Sequence, residues 1–385
     1  MNLSRERVAV GAALVASAAL RLGLFPFVSG DMRGDMIPWS QIIEREGAWK
    51  ALGQGFSNYP PLYLYCLVVA TWLPLPRLWA IKLAYVAFDY VLALYAGRIV
   101  GRLVGPGARW SGTLATLFLP TVLMNSALWG QCDAMYASGL IACVYYLLEN
   151  RSVAAMMAFG LAASLKPQAV FLAPLILVLV WQRRLSPLLL YVPLGVYVLL
   201  MLPANLAGRS FLDLLLLYAH QKIIPFPALT LGATNIYQWL PGAPFGPFFR
   251  AGLVLAAVIA VVFMITVARR FPEGMSGGAL LHGSLLSLVL MPFVLPAMHE
   301  RYFFAADALS VPYAFTFRGG WRVAALIQLA SACTYCPYLF DWEPVPRPVL
   351  AVFMGAAVGR LWCGVGVRAR PISAGRSLAG GEVDV

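Results

Sequence analysis

The residues of this chain that could do chemistry lie in short polar clusters between long apolar segments. The first cluster, SGDMRGDMIPW, places Asp31 and Asp35 on either side of Arg33. The last one, AMHERYFF, contains His299 and Arg301. A carboxylate can act as general base on an incoming hydroxyl, and arginine binds phosphate oxygens in a planar, bidentate way. The two clusters therefore predict a base opposite a cationic pocket for a phosphate.

Further polar residues between these two clusters are candidates for substrate binding. In a chain this apolar, ionisable groups are costly to bury and are functional candidates by default. Lys166 would join His299 and Arg301 around the phosphate, because cations stabilise a leaving phosphate. The other candidates are Arg33; Asn58 and Tyr59 in SNYPPLYLY; Trp129, Gln131 and Asp133 in WGQCDAMY; Gln168 in SLKPQAVF; His220 in LYAHQK; Asn235 in TNIYQW; and Glu300.

Several of these residues also have simpler interpretations, which stay open. Asp31 and Asp35 could be solvated loop carboxylates, and Trp129 could be one of the aromatic residues that gather at membrane interfaces. Lys166 could extend its ammonium group to the lipid headgroups. His220 could be a surface residue of a loop helix.

The composition predicts a helical membrane protein. Of its 385 residues, 61% are hydrophobic and 11% are charged, whereas a soluble domain carries about 25% charged residues. Many apolar runs approach the roughly 20 residues that a helix needs to cross a bilayer. We therefore predict an all-α, polytopic transmembrane helical bundle that forms a single integral membrane domain over 1–385. About twelve spans are predicted, at 8–28, 79–97, 110–127, 134–148, 153–165, 169–181, 187–203, 249–268, 277–296, 303–317, 323–340 and 347–365.

The arginines predict how this bundle is oriented. With both termini in the cytoplasm, the cytoplasmic connections contain most of the arginines, as the positive-inside rule requires. Segment 59–75 is excluded from the spans, because one more crossing would place the later arginine pairs outside. It is predicted to be an interfacial helix within a first external loop over 29–78, and 204–248 forms a second. The polar clusters then face the exterior or periplasm.

Two classes of function are disfavoured by the same features. The net charge of +12 is accounted for by the arginines that orient the spans, so it does not indicate a nucleic acid partner. No glycine-rich nucleotide loop is evident, which argues against a nucleotide-sugar donor on the cytoplasmic side. The expected partners are instead membrane lipids, with a lipid-phosphate sugar as donor.

Taken in order, the clusters resemble the GT-C superfamily of polyprenyl-phosphate-sugar-dependent glycosyltransferases, and in particular bacterial proteins related to the GPI-anchor mannosyltransferase that adds the second mannose. The segments that carry the resemblance are SGDMRGDMIPW, SNYPPLYLY, NSALWGQCDAMY, SLKPQAVFLAP, TNIYQWLP and HERYFFAADALS. The resemblance implies a GT-C-like fold. It also implies transfer of a hexose, with mannose favoured, from a polyprenyl-phosphate donor to a lipid-linked or glycan acceptor. The active site would face the periplasm from a bacterial inner membrane.

The resemblance also implies roles for particular residues. The catalytic base of such enzymes is an aspartate in the first external loop, which is Asp31 or Asp35 here. His299 would contact the donor phosphate, with Arg301 at a position where eukaryotic relatives have lysine.

The WGQxD segment of these enzymes maps to Trp129, Gln131 and Asp133. No cofactor is required by the pattern. Asp31, Asp35 and Asp133 nevertheless offer the oxygen ligands that a divalent cation such as Mg²⁺ or Mn²⁺ prefers, although no spacing requires one.

Two other functions are compatible with a membrane bundle of this kind. A transporter or flippase of a lipid-linked saccharide would need polar residues on both membrane faces, and the cytoplasmic loops carry little beyond arginine. A structural or assembly subunit would not need an acidic and a cationic cluster in one site.

Overall fold

Most of the described chain is helical. A computed structural model describes the backbone of residues 3–220 and 227–365, and the side chains of 5–219 and 227–365. The α-helices are α1 (Leu3–Leu24), α2 (Ile37–Glu46), α3 (Ala48–Leu52), α4 (Pro61–Thr71), α5 (Arg77–Leu103), α6 (Arg109–Leu117), α7 (Pro120–Val122), α8 (Asp133–Leu148), α9 (Ser152–Ala163), α10 (Ala173–Trp181), α11 (Tyr191–Leu206), α12 (Phe211–Leu215), α13 (Leu217–His220), α14 (Phe245–Arg270), α15 (Gly277–Val294), α16 (Phe304–Thr316), α17 (Gly320–Phe340) and α18 (Arg347–Gly364).

Short segments of other geometry connect these helices. Two π-helices span Met32–Met36 and Leu123–Trp129, and 3-10 turns lie at Pro106–Ala108, Pro167–Leu172, Pro187–Leu190 and Ile236–Trp239. Two short strands, β1 (Thr230–Leu231) and β2 (Met298–His299), pair in parallel with Leu231 opposite His299. Within the described residues this pair is the one sheet, so the predicted all-α class holds.

Six helices in the described residues are long and apolar enough to cross a membrane. They are Arg5–Leu24, Arg77–Leu103, Pro187–Leu206, Phe245–Arg270, Gly277–Val294 and Gly320–Phe340. The pair Pro106–Leu117 and Pro120–Trp129, bent by 52°, would make a seventh if it forms one span. The predicted count of about twelve is not confirmed.

Helix length explains the difference. α8 has 16 residues and α9 has 12, so at 1.5 Å per residue they are about 24 and 18 Å long. The hydrocarbon core of a bilayer is about 30 Å thick. α8 begins at the polar segment WGQCD and α9 ends at SLKPQ, and these segments interrupt the apolar runs before they reach full length.

The segment that was excluded from the spans forms a short helix. α4 has 11 residues and is therefore about 16 Å long, which is too short to cross the hydrocarbon core alone. This length agrees with the exclusion of 59–75, and its place at the membrane interface stays a prediction.

The core of the bundle is built from helices that are apolar on every side. Most residues of α8 and α15 are buried, as expected for helices surrounded by other helices. Glycine lets two backbones approach closely, since a Cβ on Gly97 of α5 would lie 2.0 Å from Thr113 Oγ1 of α6. Small residues at helix contacts are typical of packing in membranes.

The two ends of the bundle carry different side chains. α5 has 27 residues and is about 40 Å long. Near its start, Lys82 contacts the carbonyl of Phe27, and α8 begins close by at Asp133; we name this the site end. At the other end of α5, Arg102 Nε lies 2.8 Å from Glu149 Oε1. We name that the basic end, defined by Arg98, Arg102, Arg109 and Arg151. Which end faces which side of the membrane stays a prediction.

A buried ion pair joins α1 to α5 between these ends. Arg21 Nε lies 2.9 Å from Asp89 Oδ2, and both side chains are at most 1% exposed. Arg21 also donates to the carbonyl of Leu117 at 2.8 Å, and Ser126 donates to Asp89. The pair therefore fastens the first helix to α5, α6 and the π-helix before Trp129.

We expect Arg21→Met to lower the free energy of unfolding by about 3–5 kcal/mol, because it leaves the Asp89 carboxylate buried without its partner. Thermal unfolding in detergent micelles measures this loss. The double variant Arg21→Met/Asp89→Leu should recover much of it, since replacing both charges removes the unpaired ion. Lys50→Gln, which breaks an exposed ion pair with Glu46, is the matched control and should change unfolding little. An equal loss in the single and double variants would contradict this account.

Candidate functional site

Asp31 is fixed by donors from two other parts of the chain. Its Oδ2 accepts hydrogen bonds from Trp129 Nε1 at 3.0 Å and from Gln131 Nε2. Its Oδ1 accepts a hydrogen bond of 2.7 Å from the Tyr338 hydroxyl, which in turn accepts one of 2.8 Å from the Asp31 N–H. The carboxylate is thus oriented by three donors, yet its side chain remains 24% exposed.

The segment before Asp31 is fastened to the same π-helix. Ser29 Oγ donates to the carbonyl of Trp129 at 2.6 Å and accepts from the N–H of Met32 at 3.1 Å. Gly30 allows the close approach of α17, since a Cβ there would lie 2.8 Å from the Tyr338 hydroxyl. The first connection therefore has a defined conformation where it meets the site.

Trp129 ends the π-helix Leu123–Trp129 and is fully buried. Its ring stacks on Tyr338 with centroids 4.5 Å apart and meets the edge of Tyr335 at 5.3 Å. Gly130 follows with φ +76°, a left-handed conformation that glycine adopts without strain. This turn directs Gln131 back to Asp31. Trp129 is therefore a buried part of the site, and the interfacial interpretation was wrong.

Lys82 holds together the ends of two helical segments. Its ammonium group donates to the carbonyls of Phe27 at 2.6 Å, Ala127 at 2.9 Å and Leu128 at 2.8 Å, and more weakly to that of Leu24 at 3.4 Å. The last carbonyls of a helix have no partner within it, and a cation there is favourable. Lys82 thereby sets the distance between the chain before Asp31 and the chain around Trp129.

Asp133, at the start of α8, is the most enclosed carboxylate of the site. Its Oδ1 lies 2.6 Å from Lys166 Nζ, and its Oδ2 accepts a hydrogen bond of 2.8 Å from Asn125 Nδ2. The side chains of Asp133 and Lys166 are 1% and 6% exposed. The Lys166 ammonium also lies 5.1 Å from the centre of the Tyr59 ring. Lys166 is thus inside the site and does not extend to the lipid headgroups.

Arg301 connects the two aspartates. Its Nη1 lies 3.9 Å from Asp31 Oδ2, its Nε lies 3.7 Å from Asp133 Oδ2, and its guanidinium lies 5.4 Å from the centre of the Trp129 ring. The one hydrogen bond that the described residues accept from it is to Glu300 Oε1 at 3.2 Å. Most of its five N–H donors therefore have no acceptor within the described residues.

The strand pair fixes the chain at His299, two residues before Arg301. His299 belongs to β2, and its side chain is 37% exposed, with Nδ1 3.8 Å from Glu300 Oε2. Gly232, with φ +89°, lets the chain after β1 pass close to Glu300. Asn235 donates to the carbonyl of Leu295 at 3.2 Å and accepts from the N–H of Tyr237. Asn235 thus fastens the loop that supports β2.

The surroundings give the two acidic candidates different pKa values. Burial opposes ionisation of Asp31, but the Arg301 guanidinium and the three donated hydrogen bonds outweigh it and lower the pKa of Asp31. Burial raises the pKa of Asp35, the negative charge of Asp31 raises it further, and Arg301 opposes both. Asp31 is therefore ionised over a wider pH range than Asp35.

The structure brings together most of the predicted site residues. Direct contacts link Asp31, Tyr59, Trp129, Gln131, Asp133, Lys166, His299, Glu300 and Arg301. The Tyr59 hydroxyl also lies 3.5 Å from Gln131 Oε1. Arg33 and Asp35 are exposed on the π-helix Met32–Met36, Asn58 is exposed, and Gln168 is buried with Oε1 unpaired within the described residues. The side chain of His220 lies outside the described residues.

Three contributing residues were missed by the sequence interpretation: Tyr338, Lys82 and Asn125. Tyr335 and Tyr338 are three residues apart and so share one helix face, which was an available signal for a common contact. Lys82 interrupts an apolar span, as an ionisable functional candidate would. Nothing in the local sequence of Asn125 indicates its contact with Asp133.

The acidic residues do not gather as metal ligands would. Within the described part of the chain, no group of three or more His, Cys, Asp or Glu side chains could hold a metal ion. The oxygens of Asp31 and Asp133 instead accept from neutral donors and from Lys166. Among the described residues, these side chains therefore do not form the divalent-cation site that the sequence left possible.

The fold and this site define an α-helical membrane protein with a buried network of charged residues at one end of its bundle. The family model of glycosyltransferase family 87 matches residues 56–292, which is more than half of the chain, and the chain belongs to that family. It is a membrane glycosyltransferase, with a sugar donor and an acceptor as its substrates, and the match supports the GT-C type. This membership favours the transferase over the transporter or flippase. No curated protein matches the chain.

We expect Tyr338→Phe to raise the pKa of Asp31, because one of the hydrogen bonds to the ionised carboxylate is lost. A lowered pKa stabilises the fold above the ordinary value of 3.8, and this stabilisation is lost as the pH falls through the folded-state pKa. The loss begins near the ordinary pKa of 3.8 in both proteins, but it should be smaller in Tyr338→Phe and end at a higher pH than in wild type. A plot of the unfolding midpoint against pH should therefore be flatter for the variant.

Tyr335→Phe is the matched control, because Tyr335 packs on the same Trp129 ring and its hydroxyl has no partner within the described residues. Its pH dependence should equal that of wild type. Identical pH curves for all three proteins would show that the Tyr338 hydroxyl does not act on Asp31.

Proposed function

We propose that this protein moves a hexose, with mannose favoured, from a polyprenyl-phosphate donor to a lipid-linked or glycan acceptor at the periplasmic face of a bacterial inner membrane. The observation that carries the proposal is the pairing of one accessible, oriented carboxylate with one arginine whose donors are mostly uncommitted. Asp31 is the proposed general base, and Arg301 the main contact to the donor phosphate.

The exposure of the acidic side chains favours Asp31 as the base. Asp31 is 24% exposed, whereas Glu300 is 10% and Asp133 is 1% exposed. A base must come within hydrogen-bond distance of the hydroxyl whose proton it takes. Asp133 is also neutralised by Lys166, so it supports the site without being available to an acceptor. Asp35 is accessible, but no described hydrogen bond orients it.

The donor phosphate has a binding partner in Arg301. A guanidinium can bind two phosphate oxygens at once, and the hydrogen bond to Glu300 uses only part of its capacity. The exposed His299 imidazole lies on the same turn and would supply a second contact. Lys166 adds a second buried positive charge to the site, although its ammonium group is paired with Asp133.

The step that these residues would support is a single displacement. The acceptor oxygen forms a bond to the anomeric carbon as the bond from that carbon to the phosphate oxygen breaks. The hydroxyl proton passes to Asp31, and the polyprenyl phosphate leaves with the bonding electron pair. Arg301 stabilises the charge that grows on the leaving phosphate, which is the interaction that lowers the barrier most directly.

The position of the arginines supports the proposed orientation. The four arginines of the basic end lie opposite the site end along α5, and arginine gathers on the cytoplasmic side of membrane proteins. The site would then open at the periplasmic face, where the prenyl chain of the donor can lie among the apolar helices. Mannose is the hexose implied by the resemblance to relatives of the GPI-anchor second mannosyltransferase.

We expect Asp31→Asn to lower kcat by about 10²–10⁴-fold, the usual contribution of a general base. Asp35→Asn, on the same connection, should leave kcat close to wild type. Transfer of radiolabelled hexose from synthetic polyprenyl phosphates by protein in nanodiscs measures both, with unfolding midpoints showing that each variant folds. A loss confined to Asp35→Asn would transfer the role of base to that residue.

Arg301→Gln should lower kcat/KM for the donor by about 10- to 100-fold, because hydrogen bonds to charged groups contribute about 1.5–3 kcal/mol. Arg301→Lys keeps the charge but cannot bind phosphate in a bidentate way. Its kcat/KM for the donor should therefore lie between that of Arg301→Gln and that of wild type. Unfolding midpoints separate this effect from the cost of leaving Asp31 and Asp133 without a cation. If both variants kept the wild-type kcat/KM, the donor phosphate would have to bind elsewhere.

A further inference from the structure

Four arginines converge on one open cleft at the basic end of the bundle, far from the site described above. Arg98, Arg102, Arg109 and Arg151 line a cleft of about 640 Å³. They come from α5, from the start of α6 and from the connection between α8 and α9. Their convergence depends on how three helices pack and is independent of the proposed reaction.

The cleft has a large excess of positive charge. Glu149 is the one acidic residue that lines it, and its Oε1 lies 2.8 Å from Arg102 Nε. The other three arginines have no carboxylate within ion-pair distance among the described residues. Like charges held near each other repel, and a bound anion would relieve that repulsion.

Aromatic rings hold the guanidinium groups in place. Arg98 lies over Tyr95 and Tyr145, with its guanidinium carbon 5.1 and 5.8 Å from the ring centres. Arg151 lies over Tyr146 at 5.2 Å. A guanidinium that stacks on a ring keeps its N–H edges available for an anion.

These rings and one arginine are further tied into the structure. The hydroxyls of Tyr95 and Tyr146 are hydrogen-bonded to each other at 2.9 Å. The ring that contacts Arg98 is therefore linked to the ring that contacts Arg151. Arg109 lies 5.7 Å from the centre of the Trp110 ring, and its Nε is buried without a hydrogen-bond partner in the described part of the chain. A buried donor without a partner is unfavourable, and an anion in the cleft could accept from it.

The rule that places arginine on one side of a membrane does not explain this arrangement by itself. That rule is satisfied by arginines in any of the short connections at one end. Arg269 shows this, because it lies in the last turn of α14 and does not line the cleft. The connection after α14 leads to Gly277, where a Cβ would lie 2.9 Å from the Leu103 side chain, at the same end of α5 as the arginines. The clustering of four arginines around one volume needs a separate cause.

We propose that this cleft binds the phosphate groups of an anionic lipid headgroup. The cleft lies at the ends of spans, where headgroups are found, and Trp110 beside it is 39% exposed, as aromatic residues at a membrane interface are. Basic pockets between transmembrane helices bind such headgroups. The volume lies within the roughly 300–1,000 Å³ of small-ligand sites.

The test compares lipid binding by wild type and by Arg98→Gln/Arg151→Gln. Protein delipidated in detergent is titrated with phosphatidylglycerol or cardiolipin and, separately, with phosphatidylcholine, and bound lipid is counted by native mass spectrometry. Each arginine near an anionic lipid contributes about a fivefold gain in affinity. The double variant should therefore bind anionic lipid about 20- to 30-fold more weakly, while Arg269→Gln, the matched control, should bind like wild type. Phosphatidylcholine should bind weakly to all three.

Two further arms keep the result interpretable. Inorganic phosphate or pyrophosphate, added to the lipid-bound protein, should not displace the anionic lipid. Displacement at concentrations similar to that of the lipid would overturn the proposal that the bound phosphate group belongs to a lipid. Arg98→Lys/Arg151→Lys, which keeps the charge, should retain part of the affinity and provides the test if the glutamine variant does not fold. Equal affinity of wild type and the Arg98/Arg151 variants, or an equal loss in Arg269→Gln, would overturn the site.

Discussion

The arrangement of the site depends on how the protein satisfies backbone carbonyls at the ends of two helical segments inside a membrane bundle. Without water, such carbonyls need partners from the protein. The Lys82 ammonium group donates hydrogen bonds to carbonyls at and just after the end of α1, and to carbonyls of the π-helix that ends at Trp129. This shared cation holds the two segments side by side, so that Ser29 and Asp31 meet Trp129 and Gln131. The orientation of the proposed base is thus set by a residue that does not touch it.

A second constraint is the pairing of charges within the site. Lys166 is buried, and its cost is offset because Asp133 is buried with it at 2.6 Å. Asn125 occupies the other oxygen of Asp133. Asp31 is instead oriented by neutral donors, with Arg301 at a longer distance of 3.9 Å. The two aspartates therefore have different roles. Asp133 balances the charge of buried cations, whereas the Asp31 carboxylate is oriented and accessible to a substrate.

Much of this site could be predicted because polar residues are scarce in a chain that is 61% hydrophobic, so each polar cluster is a candidate for function. The grouping of Asp31, Asp133, Lys166 and Arg301 follows from that scarcity together with the positive-inside rule, which places their clusters on one side of the membrane. The role of Tyr338 does not, since its contact with Asp31 joins residues 307 positions apart and a tyrosine at the end of an apolar helix is usual at an interface. The span number was also not predicted, because the apolar segments at 134–148 and 153–165 form helices of only 16 and 12 residues, too short to cross the hydrocarbon core.

The site end of the bundle contains π-helical backbone, and this irregular geometry bears on function. At the site end, Asp31 and Trp129 adjoin or belong to π-helical segments, and the N–H of Gln131 reaches back to the carbonyl of Asn125 at 2.8 Å. π-helical turns are rare and occur frequently at functional sites, where they change the direction of a side chain. Irregular backbone is tolerated at membrane depth only where protein buries it or where it lines a cavity. The long helices bury these irregular segments, and α5 ends at the arginines of the basic end. The same helices thus shield the irregular segments of the site and position the basic cleft.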